Sequence, residues 1–340
     1  MMRTLFFIGL WLPMLLMAYP SDSARRTYAV VFYNVENFFD TENDSLTSDD
    51  EFTPDGLRHW NKFRLNQKSK NIARTIVSSC GWSLPSVVGL CEVENELVLK
   101  NLCRYTPLKE FNYKFIHYDS PDSRGIDCAF LYRPSDFEIL YSRPVRLVFE
   151  KSSSTTRDIL YVKGVLGGDD TLHFFVNHWP SKYGGGAATI GRRAAAARLL
   201  RSLTDSVIGF QPSAKIIIMG DFNDTPDDPS LIEQLGACQS FENCSSGLVN
   251  VSHKMAGSLG RGSQKFNGKW SVIDQFIVST SFYNMESVYS VKDAEIVWED
   301  FLLTTDETYT GKRPFRTYHG MKYEGGFSDH MPIRLFLKKK

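Results

Sequence analysis

The chain has 340 residues, of which 42% are hydrophobic and 23% charged, and its 39 basic and 39 acidic residues cancel. This composition is typical of a globular protein and excludes a disordered, collagen-like or multi-span membrane chain. Zero net charge also excludes a long-range field that would draw the whole protein to nucleic acid, so any polyanion must be held locally.

The start of the chain has the pattern of a secretory signal. Arg3 precedes an apolar run from Leu5 to Ala18, and small and polar residues follow it. Because this run is shorter than the roughly 20 residues of a membrane-spanning helix, it favours a signal peptide over residues 1–24, cleaved between 18 and 24, rather than an uncleaved anchor. We therefore expect a secreted or periplasmic protein without a stable membrane span, a single domain over residues 25–340 and a monomer.

The six cysteines would then lie in an oxidising compartment that permits disulfides. Cys238 and Cys244 are close enough in sequence to close a small loop, although nothing in their spacing requires it. Cys91 and Cys128 lie inside apolar runs, which is typical of buried thiols.

Beyond residue 27, short apolar runs alternate with helical patterns, without a Pro-rich or Ser-rich linker. The predicted strands are Tyr28–Tyr33, Ser86–Cys91, Ala129–Tyr132, Leu172–Val176, Lys215–Met219, Val272–Ser279 and Pro332–Leu337. The predicted helices are Arg64–Ser79, Glu94–Tyr105 and Ile190–Leu203. Polar and acidic residues follow several of the strands, at the carboxyl ends where layered α/β folds collect their chemistry.

The first two strand ends carry candidate ligands for a cation. Alternation along the first strand places Asn34 and Glu36 on the same side, where an amide and a carboxylate can hold a phosphate and a divalent cation together. Asn at a strand end is also common in simple turns. Glu92 ends the second strand, and a carboxylate there is costly to desolvate unless a cation or a hydrogen-bond donor meets it.

The next two strand ends carry candidates for binding phosphate and activating water. His178 is followed by Lys182 and a glycine-rich loop, which lets backbone amides and a cation approach an anion. The arginines of the helix after that loop are more typical of a solvated helix face. Asp221 and Asn223 follow the most apolar strand, where an acid and an amide two residues apart can orient a water and hold a phosphate oxygen.

The last two motifs predict a catalytic dyad. Asp274 lies in an otherwise apolar strand, and Asp329 and His330 directly precede the final strand. A buried acid needs a partner, and a nearby imidazole would gain basicity and a fixed tautomer from it.

Taken in order, these motifs resemble the endonuclease/exonuclease/phosphatase superfamily, which includes deoxyribonuclease I-like enzymes, abasic-site endonucleases, neutral sphingomyelinases and inositol polyphosphate phosphatases. The resemblance covers about residues 28–338 and indicates a secreted, bacterial-type member. It implies a four-layered α/β sandwich, with two mixed β-sheets packed face to face and helices outside. It also implies hydrolysis of a phosphate ester that depends on Mg²⁺ or Mn²⁺.

The resemblance further implies a role for each motif. The metal ligands would be Glu92, Asn34, Glu36 and Asp329. Asp221 and Asn223 would orient the water and bind phosphate, and Asp274 would support His330, with either His330 or Asp221 as the general base. His178 is similar to the deoxyribonuclease and sphingomyelinase branch, whereas Glu36 is similar to the acid of abasic-site enzymes.

Two further assignments also depend on the resemblance. Asp119 occupies the place of an acid that would support His178. Arg124 belongs to a segment that resembles the strand lining the phosphate site, and Asp127 of the same segment is an alternative. Together with Asn223 and Lys182, Arg124 completes the predicted phosphate-binding residues.

Three functions compete. An exported nuclease fits the signal peptide and His178, but a neutral chain would need Lys182 and the arginine helix to form a basic groove for duplex nucleic acid. A phosphodiesterase or phosphatase acting on lipid headgroups or inositol phosphates would instead place exposed aromatics near the site. The candidate aromatics are Trp298, Phe301, Tyr309, Phe315, Tyr318 and Tyr323. A non-catalytic binding module on the same fold would require lost catalytic residues, and none of the motifs is missing.

Overall fold

The computed structural model describes residues 27–149, 155–182, 185–242, 244–255 and 260–340. The predicted signal peptide lies outside these residues. Within them, no helix combines the length and the apolar character needed to cross a membrane.

The described residues contain three α-helices, six short 3₁₀ or π helices and nineteen strands. The helices are α1 (Lys62–Ser78), α2 (Glu96–Tyr105) and α3 (Gly186–Phe210). The strands are β1 (Thr27–Phe38), β2 (Val87–Val93), β3 (Lys114–His117), β4 (Asp127–Tyr132), β5 (Phe137–Val145), β6 (Ile159–Leu166), β7 (Asp170–His178), β8 (Lys215–Asp221), β9 (Leu248–Asn250), β10 (Gln264–Phe266), β11 (Lys269–Ser271), β12 (Asp274–Ser279), β13 (Tyr289–Val291), β14 (Glu295–Ile296), β15 (Leu303–Thr305), β16 (Lys312–Pro314), β17 (Tyr318–His319), β18 (Lys322–Tyr323) and β19 (Ile333–Lys339).

The longer strands form two mixed sheets. The first has the order β13-β19-β1-β2-β4-β3, with β14 also paired to β19, and the second has the order β5-β6-β7-β8-β12-β9. Strands β1 and β2 are parallel, as are β7 and β8, so the carboxyl ends of each pair meet at one edge of their sheet. The hairpins β10–β11, β15–β16 and β17–β18 lie outside both sheets.

The alternation of side chains along the strands builds four layers. Phe32 of β1 and Phe174 of β7 belong to the core between the two sheets. Their neighbour Val31 packs in the cluster that contains α1 and α2, and Phe175 packs in the cluster that contains α3. The order helices, sheet, sheet, helix confirms the predicted four-layered α/β sandwich.

Every predicted strand and helix is present, with shifted ends. The third helix is longer than predicted because it begins at Gly186 and ends at Phe210. The sequence analysis missed β3, β5, β6, β9, β13 and β14 and all three hairpins. Cys238 and Cys244 form a disulfide.

Candidate active site

Three catalytic candidates lie side by side at the ends of neighbouring strands. In the register of the second sheet, His178 of β7 pairs with Asp221 of β8, and Asp221 pairs with Asp274 of β12. A Cβ atom at Gly220 would lie 2.4 Å from the carbonyl oxygen of Asn177. A side chain at that position would therefore push β7 away from β8, and the glycine preserves the close pairing that sets this row.

The predicted dyad is formed. Nδ1 of His330 lies 2.7 Å from Oδ2 of Asp274, and both side chains are buried. Burial alone would lower the pKa of His330, but the carboxylates of Asp274 and Asp221 outweigh it and raise the pKa well above the ordinary value. The side chain of His330 is therefore an imidazolium at neutral pH. The backbone N–H of His330 donates to Oγ of Ser328 at 3.1 Å.

Asp221 lies at the centre of the site. Its Oδ2 accepts a hydrogen bond from Nδ2 of Asn34 at 3.0 Å, and its Oδ1 accepts one from the backbone N–H of Asn223 at 2.9 Å. Nε2 of His178 lies 3.7 Å from Oδ2, and Nε2 of His330 lies 3.8 Å from it. Burial raises the pKa of Asp221 to about 7, against the opposing effect of His330. A carboxylate that titrates near neutrality is suited to accept a proton from water.

Glu92 faces this group from the first sheet. It has φ +63° at an irregularity in the register between β2 and β4, and such a bulge redirects a side chain at the end of a strand. Oε1 of Glu92 lies 3.5 Å from Nδ2 of Asn34 and 4.0 Å from Nε2 of His178. Oε2 accepts from the backbone N–H of Asn37 at 2.9 Å and lies 3.7 Å from Nη2 of Arg124. The structure thus brings Arg124 next to Glu92, and its phosphate-binding role stays a prediction.

His178 is a neutral imidazole. Burial is the largest cause that lowers its pKa well below the ordinary value, and Arg157, Arg124 and His330 lower it further. A neutral imidazole carries one N–H donor, and the Nδ1 atom of His178 has no hydrogen-bond partner among the described residues. Nδ1 is buried, whereas Nε2 faces Glu92 and Asp221, so Nε2 is the atom suited to donate a hydrogen bond to a phosphoryl oxygen.

Glu36 forms an ion pair with the side chain of Arg316. Its Oε1 accepts from Nε of Arg316 at 3.2 Å, and its Oε2 accepts from the backbone N–H of Thr317 at 2.7 Å. Nζ of Lys68 lies 3.9 Å from Oε2, and Nη2 of Arg316 donates to Oδ2 of Asp329 at 2.9 Å. Arg316 thus bridges two predicted metal ligands. It was missed by the sequence analysis, because an arginine in a turn-rich segment carries no pattern that separates it from a solvated one.

The register of β1 is irregular between Asn34 and Phe38, and Glu36 has φ +51°. Strict alternation therefore does not hold at this strand end. Asn34 contacts Asp221, whereas Glu36 contacts Arg316. A metal-binding role for Glu36 stays a prediction, since both of its oxygens already accept hydrogen bonds.

The remaining donors fit a divalent cation. Glu92 and Asp329 contribute partly exposed carboxylates, and oxygen ligands of this kind are those that Mg²⁺ and related hard cations prefer. Asn34 lies beside them, with Nδ2 toward Glu92 and Asp221 and with Oδ1 accepting from the backbone N–H of Glu36 at 3.0 Å, so its role as a metal ligand stays a prediction. Three further residues, Asp221, Asp274 and His330, each have one potential ligand atom, and these three atoms lie within 4.8 Å of one another. Burying several carboxylates in one partly desolvated site costs free energy unless a cation balances their charge. The charge of the site and the chemistry of its donors therefore both indicate a divalent cation.

The expected pair between Asp119 and His178 is not formed. The side chain of Asp119 is 90% exposed, and its Oδ1 lies 3.8 Å from Nδ1 of His117. Asp127 also pairs with His117, at 3.1 Å. The antiparallel pairing of β3 with β4 places these three side chains together, in a cluster that does not include His178.

Lys182 forms ion pairs with two aspartates. Its Nζ lies 3.1 Å from Oδ1 of Asp224 and 3.5 Å from Oδ2 of Asp228, and the buried Arg193 pairs with Asp224 as well, at 2.7 Å. A phosphate-binding role for Lys182 stays a prediction. Asn223 is close to the centre, where its Nδ2 donates to the backbone carbonyl of Trp179 at 3.0 Å.

The comparisons with known proteins agree with this geometry. Residues 29–339 match the Endonuclease/Exonuclease/phosphatase family. The chain belongs to this family. Its members hydrolyse phosphate esters with a divalent metal ion, so the protein is a hydrolase acting on phosphate ester bonds. No curated protein sequence matches it.

Three solved structures share the fold. An endonuclease/exonuclease/phosphatase family protein from Bacteroides thetaiotaomicron is 17% identical with a TM-score of 0.57, covering 93% of this chain and 99% of that one. A mannosyl-6-phosphatase from the same organism is 18% identical with a TM-score of 0.58, covering 91% and 99%. D. rerio TDP2 complexed with a single-strand DNA product is 14% identical with a TM-score of 0.53, covering 92% and 98%.

Proposed function

We propose that this protein hydrolyses phosphate esters of compact, soluble alcohols, with Mg²⁺ or Mn²⁺ as its cofactor. The observation that carries the proposal is the row formed by His178, Asp221 and Asp274 with His330, opposite the carboxylate of Glu92. This row places a proton acceptor, an imidazolium and a neutral hydrogen-bond donor around one position.

In the proposed reaction, water attacks phosphorus as the ester P–O bond breaks. Asp221 accepts the proton of the water, and the leaving alcohol takes up a proton from solvent. His330 is held charged by Asp274, so it stabilises the negative charge that develops on the phosphoryl oxygens, and His178 donates a hydrogen bond to them. A cation held by Glu92, Asn34 and Asp329 would neutralise a non-bridging oxygen when bound.

The cations on the His178 side of the site do not favour a duplex substrate. Lys182 and Arg193 share Asp224, and Arg201 pairs with Asp205 on its own helix at 2.7 Å. These ion pairs offset part of the positive charge that a groove for the backbone of a duplex would need, although Arg198 of the same helix donates only to the neutral side chain of Gln234. The exported nuclease favoured by the sequence therefore becomes the second candidate, supported chiefly by the fold that this chain shares with the DNA-bound TDP2.

The aromatic residues near the site do not favour a lipid surface. Tyr318 is buried against Trp60 and Phe52, and Phe301 and Phe315 pack on Phe327. Of the six candidate aromatics only Tyr309 is exposed, at 44%, and it has one exposed aromatic neighbour, Phe266. A lipid-facing site would expose a larger set of such side chains together. A soluble phosphate ester needs no such surface, and the mannosyl-6-phosphatase that shares the fold supports this choice.

Export is a further part of the proposal and depends on the apolar N-terminal run alone. We expect the mature protein to begin between residues 18 and 25 when it is recovered outside the cytoplasm. Mass determination of the secreted or periplasmic form tests this, and recovery of the full-length chain only from the cytoplasm would refute it.

The function is tested by one substrate panel, measured with Mg²⁺, with Mn²⁺ and with EDTA. The panel contains glucose 6-phosphate, inositol trisphosphate, sphingomyelin vesicles, single-stranded DNA and plasmid DNA. We expect metal-dependent release of phosphate from the soluble ester. Activity that survives EDTA would contradict the mechanism. Cleavage of DNA alone would show that the protein is a nuclease and would refute the proposed phosphatase function.

A further inference from the structure

A small cavity of about 180 Å³ opens beside the catalytic centre. Arg316 and Asp329 line it, and Asp329 directly precedes His330 of the dyad. The turn of the β10–β11 hairpin forms one wall, and the loop after β15 forms another. The hairpin is fixed to the site because the backbone N–H of Asp274 donates to Oγ of Ser263 at 3.0 Å, one residue before β10.

The two walls are joined by a buried lysine. Nζ of Lys265 lies 2.7 Å from Oδ2 of Asp306, 3.0 Å from the carbonyl oxygen of Thr310 and 3.2 Å from that of Lys312. Its side chain is 3% exposed. A buried ion pair with additional hydrogen bonds holds both segments in one arrangement, so the cavity is present before any substrate arrives.

The cavity offers one set of free cationic donors. The three N–H donors of Lys265 are all used within the walls. Arg313 makes a bidentate pair with Glu324 at 2.9 and 2.7 Å, and its remaining Nε is buried. Arg316 uses Nε and Nη2 for its two carboxylates, and its Nη1 donors have no acceptor among the described residues. The cavity can therefore hold one phosphate next to the metal ligands and offers no second cation for another.

The outer part of the cavity suits a polar ring. Tyr309 is 44% exposed and Phe266 is 68% exposed, and both line the cavity. A Cβ atom at Gly268, which has φ +78°, would lie 2.8 Å from the ring of Tyr309, so the glycine lets the hairpin pack closely on that ring. Asn267 and His319 add further hydrogen-bonding groups.

We propose that this cavity binds the alcohol part of the substrate and that this alcohol is a single polyhydroxylated ring bearing one phosphate, of the hexose phosphate class. The proposal rests on the proposed function, since it assigns the substrate of the same site. Aromatic faces pack on the C–H faces of such a ring while amide, imidazole and guanidinium groups bond to its hydroxyls. The volume is below the roughly 300–1,000 Å³ of sites for drug-sized ligands, which agrees with one ring.

The test compares three probes and three proteins. The probes are glucose 6-phosphate, glycerol 3-phosphate, which has hydroxyls but no ring, and inositol 1,4,5-trisphosphate, which has a ring and additional phosphates. The proteins are the wild type, Tyr309→Ala and the matched control Tyr141→Ala, which removes a tyrosine that is 52% exposed on β5. Binding of free glucose to each metal-free protein is followed by saturation-transfer NMR.

We expect the wild type to favour glucose 6-phosphate over the other two probes by about tenfold in kcat/KM. Tyr309→Ala removes this preference and the NMR signal of glucose. Tyr141→Ala changes neither.

An unchanged preference and an unchanged glucose signal in Tyr309→Ala would overturn the proposal, as would a preference for the trisphosphate. If no ester is hydrolysed by any of the proteins, the proposed function fails, and the glucose signal still decides whether the cavity binds a sugar. Phe266→Ala is the second variant, to be used if Tyr309→Ala unfolds.

Discussion

The buried dyad provides the sharpest prediction. Asp274→Asn keeps the shape of the side chain but removes the charge that lies 2.7 Å from Nδ1 of His330. Two consequences follow: the pKa of His330 falls because a main cause that raises it is gone, and the amide can present its NH₂ group to a nitrogen that must itself donate. An acid–base or charge-stabilising group of this kind contributes about 10²- to 10⁴-fold in rate. This corresponds to about 3–5 kcal/mol of activation free energy at 1.36 kcal/mol per factor of ten.

The assay measures kcat/KM with Mg²⁺ together with the ¹³C chemical shift of His330 as a function of pH. The control is Asp136→Asn, because Asp136 is a buried acid that accepts from Ser86 and pairs with Arg133, outside the site. We expect activity to fall at least a hundredfold in Asp274→Asn and to stay within threefold in the control. If activity stays within tenfold of the wild type, or if the pKa of His330 does not move, the assignment of this pair is refuted.

Three further predictions follow from the site and the fold. Glu92→Gln weakens Mn²⁺ binding at least tenfold by calorimetry, whereas Glu96→Gln, on the exposed start of α2, leaves it unchanged; equal affinities would remove Glu92 from the ligand set. In the metal-free protein, Asp221 has a pKa of about 7 against an ordinary 3.8, so it binds a proton more tightly when folded. Its contribution to the unfolding free energy is thus lost as pH rises from about 4 through about 7, and Asp221→Ala removes that part of the slope in urea titrations; parallel slopes would contradict this. Replacing Cys238 and Cys244 by serine lowers stability by about 2 kcal/mol, because the disulfide closes a short loop, and unchanged urea midpoints would show that the crosslink contributes nothing.

The strand ends could be read from the sequence because each is marked locally. An apolar run that stops on an acid, such as the one before Asp221, needs no knowledge of its neighbours. The parallel pairing of β7 with β8 then brings His178 beside Asp221 without any further information. The order of the motifs was enough for the fold, because it carries the resemblance to a family whose members have two covered sheets.

The errors arise where position depends on distant segments. Asp119 follows β3, which pairs with β4, and its side chain lies beside His117 rather than His178. No local pattern in the sequence indicates that strand pairing. Arg316 reaches Glu36 across 280 residues of sequence. The missed β6 alternates apolar residues with Tyr161 and Lys163, so it lacks the continuous apolar run on which strand prediction depended. The hairpins that wall the cavity consist of strands only two or three residues long, too short for any period to appear.

The backbone at the strand ends has a consequence for how this protein can change. Glu36, Asn37, Glu92 and Asn223 all have φ between +51° and +63°, a conformation that costs a non-glycine residue of order 1–3 kcal/mol when its surroundings impose it. At position 36 glycine would leave Arg316 and the buried Lys68 without their acid, which costs more than the relieved strain. At position 92, where the carboxylate is partly exposed, glycine would relieve the strain and delete a metal ligand at the same time. A library selected for resistance to heat alone would therefore accumulate glycine at position 92 and yield stable proteins without activity, so heat resistance and catalysis have to be selected together there.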